Sequence, residues 1–256
     1  MKAFKVALDN NIAILVFLLV WEFMSRIGLF NAMFIPPFSA VLVTTWDLMV
    51  SGHLAQDILI SLMRAITGFL VAAIVAIPLG FLLGGWFKNT QLALEPLFEM
   101  AAQANPFILF HVIILFLGIG EATKITIIAW ICIWPILFNT ASGIRNVDAV
   151  LLKSALSFGL GKWAIFYKIV LPAAAPAIFT GFRLSAGYSF FLLIVAEMMG
   201  SNSGLGWFVL YSQENYNIQW IFSGAMLIGV LGLSIDLLIQ YIEKKVIVWE
   251  VEERVE

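Results

Sequence analysis

Six ionisable residues, Arg64, Glu95, Glu99, His111, Glu197 and Asp236, interrupt long apolar stretches of this 256-residue chain. A charge in such surroundings is costly, so residues of this kind usually face a helix-bundle interior or a water-filled cavity. The chemistry open to them is electrostatic. Arg64 and Glu197 can pair with each other, on or beside a transport pathway; the alternative is that each reaches to its own nearby interface. Carboxylates with a histidine can also build a proton or ion path, with His111 as the shuttle. The plainer reading of His111 is a packed, hydrogen-bonded side chain, and Asp236 is expected to cap a packing contact.

Other chemistries are excluded by what the chain lacks. One cysteine, Cys132, cannot make an internal disulfide, and one cysteine with two histidines, His53 and His111, cannot make the usual zinc site unaided. No G-x-x-x-x-G-K-[ST] loop is present; Gly159, Gly161 and Lys162 lack the earlier glycine and the following hydroxyl residue. Nucleophile-elbow, metalloprotease and dinucleotide fingerprints are also missing, as are an arginine ladder and a potassium-filter string. No catalytic residue, cofactor site or metal site is expected, and the chain is read as a non-enzyme. A net charge of −2 without a basic run excludes nucleic acid as a partner.

The composition says what must position the charges. Hydrophobic residues make up 62% and charged residues only 12%, with a mean hydropathy of +1.01. A soluble domain carries about a quarter charged residues. The expectation is an all-α, polytopic membrane helix bundle, because backbone groups in lipid need internal partners and no alternating barrel pattern appears. A span needs about 20 apolar residues. Six are read, at 11–29, 58–86, 92–118, 123–142, 177–199 and 220–242, in one transmembrane domain covering 1–256. The first resembles a signal peptide, with Lys2 and Lys5 before an apolar core. No small-residue cleavage site follows, so it is read as a retained helix.

Lys and Arg placement orients the bundle. With the N-terminus in the cytoplasm, Lys2, Lys5, Lys88, Arg145, Lys153, Lys162, Lys168, Lys244, Lys245 and Arg254 lie inside, with Arg183 close by, against Arg26, Arg64 and Lys124 outside. Both termini are therefore expected inside. Trp207 and Trp220 would anchor the outer edge and Trp86 the inner edge. The outer segment 30–57 contains Pro36-Pro37 and a short interfacial helix over 39–50, with Ser39 as N-cap and Trp46 at headgroup level. A second outer loop covers 200–219. The inner segment 143–176 is read as two short helices joined by a turn at Gly159 and Gly161 and ended by Pro172 and Pro176. The acidic tail 250–256 is read as frayed. Gly68, Ala72, Ala76, Gly80 and Gly84 recur every four residues, a stripe that lets another helix approach or slide. Pro78 lies in the same helix and is a candidate kink. A looser stripe holds Gly224, Ala225, Gly229 and Gly232.

The inner segment carries the most specific pattern. Lys153-Ser154-Ala155 is followed by three residues, Gly159, nine residues, Ile169, one residue and Leu171-Pro172. This resembles the cytoplasmic E-A-A-x3-G-x9-I-x-L-P loop of ATP-binding-cassette (ABC) importer permeases. Lys153 and Ser154 depart from it, standing where the family often has Glu and Ala. Asn139-Thr140, Gly143 and Arg145-Asn146-Val147-Asp148 resemble the lead into that loop in the nitrate, sulfonate, taurine and bicarbonate branch. Gly118-x-Gly120-Glu121 with Lys124, Ser61-Leu62-x-Arg64 with Gly68-Phe69, and Gly181-Phe182-Arg183-Leu184 continue the likeness. So do Ala196-Glu197-Met198, Gly204-Leu205-Gly206-Trp207 and Glu243-Lys244-Lys245 with Trp249, over about 57–250. His111 stands where many relatives have proline.

The resemblance implies a prokaryotic plasma (inner) membrane permease that works as a pair, here a homodimer. It implies two copies of a cytoplasmic ATPase beneath, and an extracytoplasmic binding protein that delivers substrate. Lys153, Ser154, Ala155, Gly159, Trp163, Phe166, Ile169, Leu171 and Pro172 would form the ATPase-docking loop, with at least one of the aromatics in direct contact. The implied cargo is a small anion such as a sulfonate, taurine or nitrate; related branches carry pyrimidine or riboflavin-type vitamin precursors. Two rival readings remain. One is a self-sufficient, ion-gradient-driven transporter or channel using the buried carboxylates. The other is a scaffold that moves nothing.

Overall fold

In the computed structural model, residues 2–29, 31, 33–86 and 88–247 are described, and the tail 250–256 lies outside them. Among the described residues every regular element is helical: α1 Lys2–Arg26, α2 Phe38–Val50, α3 His53–Phe81, α4 Lys88–Ala102, α5 Pro106–Leu117, α6 Glu121–Arg145, α7 Ala149–Ser157, α8 Lys162–Ile165, α9 Leu171–Gly200, α10 Leu205–Glu214 and α11 Ile218–Val246. Widened π turns follow α3 at Leu82–Trp86 and α8 at Phe166–Val170. Among the described residues four stretches are long and apolar enough to cross a membrane, Leu54–Gly85, Glu121–Arg145, Lys162–Gly200 and Ile218–Val246, or five if the bent pair Thr90–Ala102 and Pro106–Leu117 is one span. The chain is an all-α polytopic membrane bundle. The first expected span falls in α1, whose side chains are described only from residue 12.

The helices fall into two compact units, Met1–Ile60 with Asn202–Gly229, and Ser61–Ser201 with Val230–Glu256. In the first, Trp21 of α1 stacks near Phe38 and Phe222 at 5.5 and 5.6 Å between ring centroids. The Trp21 indole N–H donates to the Pro36 carbonyl, and Phe208 of α10 stacks on Trp220 of α11. Ser39 is not the N-cap of α2. That place belongs to Pro37, whose ring fixes φ near −62°, while Ser39 sits inside the helix and donates from its N–H and hydroxyl to Glu22 of α1. The expected loop 200–219 also contains a helix, α10. Gly204, at φ +105°, opens it, and the Gly204 N–H donates to the buried Asp57 carboxylate at 2.7 Å. That carboxylate supplies an acceptor for one of the orphan donors of a helix start.

The second unit is built on α6, clasped by small residues. A Cβ added at Gly68 would meet Ile128, one at Gly80 Thr140, and one at Gly84 Ala141; from α9, Gly181 meets the Pro135 carbonyl. The α3 stripe is thus a seam within the chain, with Ala72 and Ala76 fully buried. Pro78 remains inside a continuous helix.

Two expected elements take a different form. The stretch 92–118, read as one span, is α4 and α5, bent by 89° at a short break. Pro106 disfavours helix at Asn105 before it, and Asn105 becomes an N-cap whose side chain accepts from the Phe107 N–H at 2.9 Å. Uniform apolarity hid this break. Asn105→Ala is expected to lower stability by about 1 kcal/mol, measured by thermal unfolding in detergent. The second correction concerns Pro172 and Pro176, which do not end a helix. A continuous helical path runs from Lys162 to Gly200. Pro172 has no N–H to give to a carbonyl one turn back. The wide π turn Phe166–Val170 immediately before α9 opens that turn without breaking the path.

Candidate functional site

Arg64 projects from α3, Glu197 from the last turn of α9, and Glu121 and Lys124 from the first turn of α6. The four form one connected cluster. Arg64 Nη1 donates to Glu197 Oε1 at 2.8 Å, while its Nε and Nη2 donate to the two oxygens of Glu121, both at 2.6 Å. The guanidinium is thus forked onto one carboxylate and tied to a second, a geometry a lysine cannot reproduce. Ser61 Oγ donates to the Glu197 carboxylate at 2.8 Å. Lys124 Nζ donates to Glu121 Oε1 at 3.0 Å and to Ser201 Oγ at 2.9 Å. Glu197 is 0% exposed and Arg64 4%, whereas the Glu121 side chain remains 57% exposed. Two cations face two carboxylates, so the cluster is neutral although most of it is out of water. Neutrality and full hydrogen bonding are the conditions under which buried charge is tolerated.

Sequence reading singled out Arg64 and Glu197 but not Glu121 or Lys124 as site residues. The available signal was an acid and a base three apart at the start of a helix, after Gly118 and Gly120. The remaining ionisable residues lie elsewhere. Among the described residues no ion pair links Glu95 or Glu99, both on α4, to the cluster. His111 Nδ1 lies 2.7 Å from the Phe107 carbonyl of its own helix, on an exposed face. Asp236 pairs with Arg183 at 3.3 Å and accepts from Gln240 at 2.6 Å.

A second feature is the loop around α7. Asp148 caps α7, accepting from the Val150 N–H at 2.7 Å. At its other end the Gly159 N–H donates to the Leu156 carbonyl at 2.9 Å and the Leu160 N–H to Ala155 at 3.2 Å. This paired closure needs a left-handed residue, and Gly159 supplies it with φ +71°. Ala155 is buried, and Lys153 and Ser154 are exposed. Phe166 packs inward on Phe81, 5.0 Å between centroids, beside Ala174 and Ile178. Ile169, Leu171 and Pro172 are half-buried along the path into α9. Phe158 and Trp163 are left 85% and 71% exposed, and Trp163 stacks on an exposed Tyr167. The chain's own residues cover Phe166 but leave the other three aromatics uncovered.

Comparison with known proteins agrees with the family resemblance. The family model for the inner membrane component of binding-protein-dependent transport systems matches residues 76–248. A chain from Bacillus subtilis named as an aliphatic sulfonates transport permease, SsuC, is 34% identical over 237 residues, 91% of this chain and 84% of the relative. A Methanocaldococcus jannaschii chain named as an ABC transporter permease is 33% identical over 90% of this chain and 87% of its own length. The nitrate import permease NrtB of Synechocystis is 31% identical over 92% of this chain and 88% of its own. These relatives are transport permeases rather than enzymes. With its apolar helices, the chain belongs to the ABC transporter permeases that are inner-membrane components of binding-protein-dependent transport systems.

Proposed function

We propose that the chain is the membrane subunit of an ATP-driven importer, a single permease domain that pairs with a second copy of itself. Two ATPase subunits would dock on the segment 143–176 from the cytoplasm, and an extracytoplasmic binding protein would present substrate at the opposite face. Both termini would be cytoplasmic. The carrying observation is the α7 turn, where a rigid, capped helix ends at left-handed Gly159 with Phe158, Trp163 and Tyr167 uncovered beside it. Large aromatic faces in water favour a partner surface. Closure of the ATPase pair would push on α7. The unbroken path from Lys162 through α9 is suited to carry that push into the membrane. The relatives' names include sulfonates and nitrate, which favours a small oxyanion as cargo.

The test is a gentle detergent pull-down from native cells with mass spectrometry, wild type beside Gly159→Asp. A Cβ at this position meets nothing within 4 Å, so the new side chain makes no clash. The left-handed φ costs the variant roughly 1–2 kcal/mol. A cytoplasmic ATPase is expected with the wild type, reduced at least roughly tenfold in the variant by a charge placed in a desolvated contact. No ATPase with either, or equal amounts with both, overturns the proposal.

A further inference from the structure

The charge cluster has the form of an occupied anion site. Arg64 and Lys124 are buried cations held in place by Glu197, Ser61 and Ser201. What rests on their open side is the carboxylate of Glu121, forked on the guanidinium at 2.6 Å and touching Lys124 at 3.0 Å. A carboxylate is a planar oxyanion, and nitrate or one face of a sulfonate offers the same pair of oxygens to the same fork. Glu121 is more than half exposed, unlike the cations beneath it. It follows two glycines that crowd nothing: Gly118 has φ +74°, Gly120 is extended, and neither has any atom within 4 Å of where a Cβ would be.

We propose that Glu121 is a tethered stand-in for the transported oxyanion, and that Arg64, Lys124 and Ser201 form a small-oxyanion site that opens when Glu121 swings away. This rests on the permease reading, and it deepens it by naming a substrate-class site at the face where a binding protein would deliver. With Glu121 in place the cations are neutralised and the site is closed to free anions. With Glu121 displaced, the cluster carries one uncompensated positive charge next to water. The swap costs little, because one oxyanion replaces another without stranding either cation.

The test uses the permease co-purified with its ATPase, in nanodiscs, with sodium acetate, nitrate or methanesulfonate as probes and sodium chloride as the ionic-strength control. Thermal unfolding is followed as each salt is titrated. Glu121→Ala is expected to be destabilised and then restored by the three oxyanions but not by chloride. The half-saturating concentration should be at least roughly tenfold lower than any response of the wild type, whose tethered carboxylate competes at millimolar or higher effective concentration. The double variant Glu121→Ala with Lys124→Met should lose the rescue. Should Glu121→Ala not fold, Glu121→Gln retains a hydrogen-bonding cap without the charge and should show the same selective response. Responses equal to those of the wild type, or equally produced by chloride, overturn the proposal. The co-purified ATPase separates the two failures: its presence without selective rescue removes only the anion site, and its absence removes the permease reading beneath it.

Discussion

Arg64→Ala is expected to be the most damaging side-chain truncation in the chain, lowering the unfolding free energy by about 3–5 kcal/mol. The reason is the order of connection in the cluster. Arg64 pairs with both carboxylates at once. Removing it leaves Glu121 with Lys124 but withdraws the guanidinium charge that faces the fully buried Glu197. Glu197→Ala should cost less, because Arg64 keeps its fork to Glu121. The double change should be no worse than Arg64→Ala alone, since it also removes the buried carboxylate that faced the lost guanidinium. Arg64→Lys should fall between, as one ammonium cannot hold both partners. Thermal unfolding in mild detergent, read with membrane abundance, checks the order. Fully additive losses would show that the two residues act independently.

The second large effect is expected in the seam between α3 and α6. A Cβ at Gly84 would stand 2.8 Å from the Ala141 carbonyl oxygen and 3.0 Å from the Ala141 Cα. Those are backbone atoms of a packed helix and cannot rotate away. Gly84→Ala should therefore cost about 1–3 kcal/mol, and Gly84→Val more. At Gly68 the clash is shorter, 2.6 Å to the Ile128 Cγ2 and 2.7 Å to its Cβ, and Ile128 is fully buried, so Gly68→Ala should cost at least as much as Gly84→Ala. Gly229, with open space around its Cα, is the control. Gly229→Ala should be neutral or stabilising by up to about 1 kcal/mol through helix propensity. Melting temperatures of the three variants rank them directly; equal losses at all three would place the stripe outside the packing seam.

The seam illustrates how far a one-dimensional pattern reaches. Small residues every four positions marked a close-packed face of α3, because 3.6 residues per turn puts them on one stripe. The sequence did not name the partner helix. That it is α6, with Gly181 of α9 meeting α6 as well, follows from chain folding that no local spacing encodes. The charged residues divide in the same way. Arg64 and Glu197 stood out because ionised groups in apolar helices need partners. Glu121 and Lys124 did not, because at a helix start beside a glycine-containing loop they look like ordinary solvated residues until α6 is brought against α3 and α9.

The breaks divide likewise. Asn105-Pro106 was readable from local sterics but was masked by the hydrophobicity on both sides. Pro172 and Pro176 had the opposite outcome. Local rules favoured an end, and a π turn let the helix continue.

What the sequence alone determined, then, was the class of molecule. Its charge-poor composition, the apolar lengths and the spacing of Gly159, Ile169, Leu171 and Pro172 are local or averaged properties, and these yielded an all-α membrane permease with a loop helix. The tertiary structure decided which charges meet, which aromatics of the loop are covered, and which stripe packs on which helix. Each of these depends on contacts between residues tens to more than a hundred positions apart, such as Ser61 with Glu197. Their energy comes from desolvation and geometry that exist only once the helices are side by side.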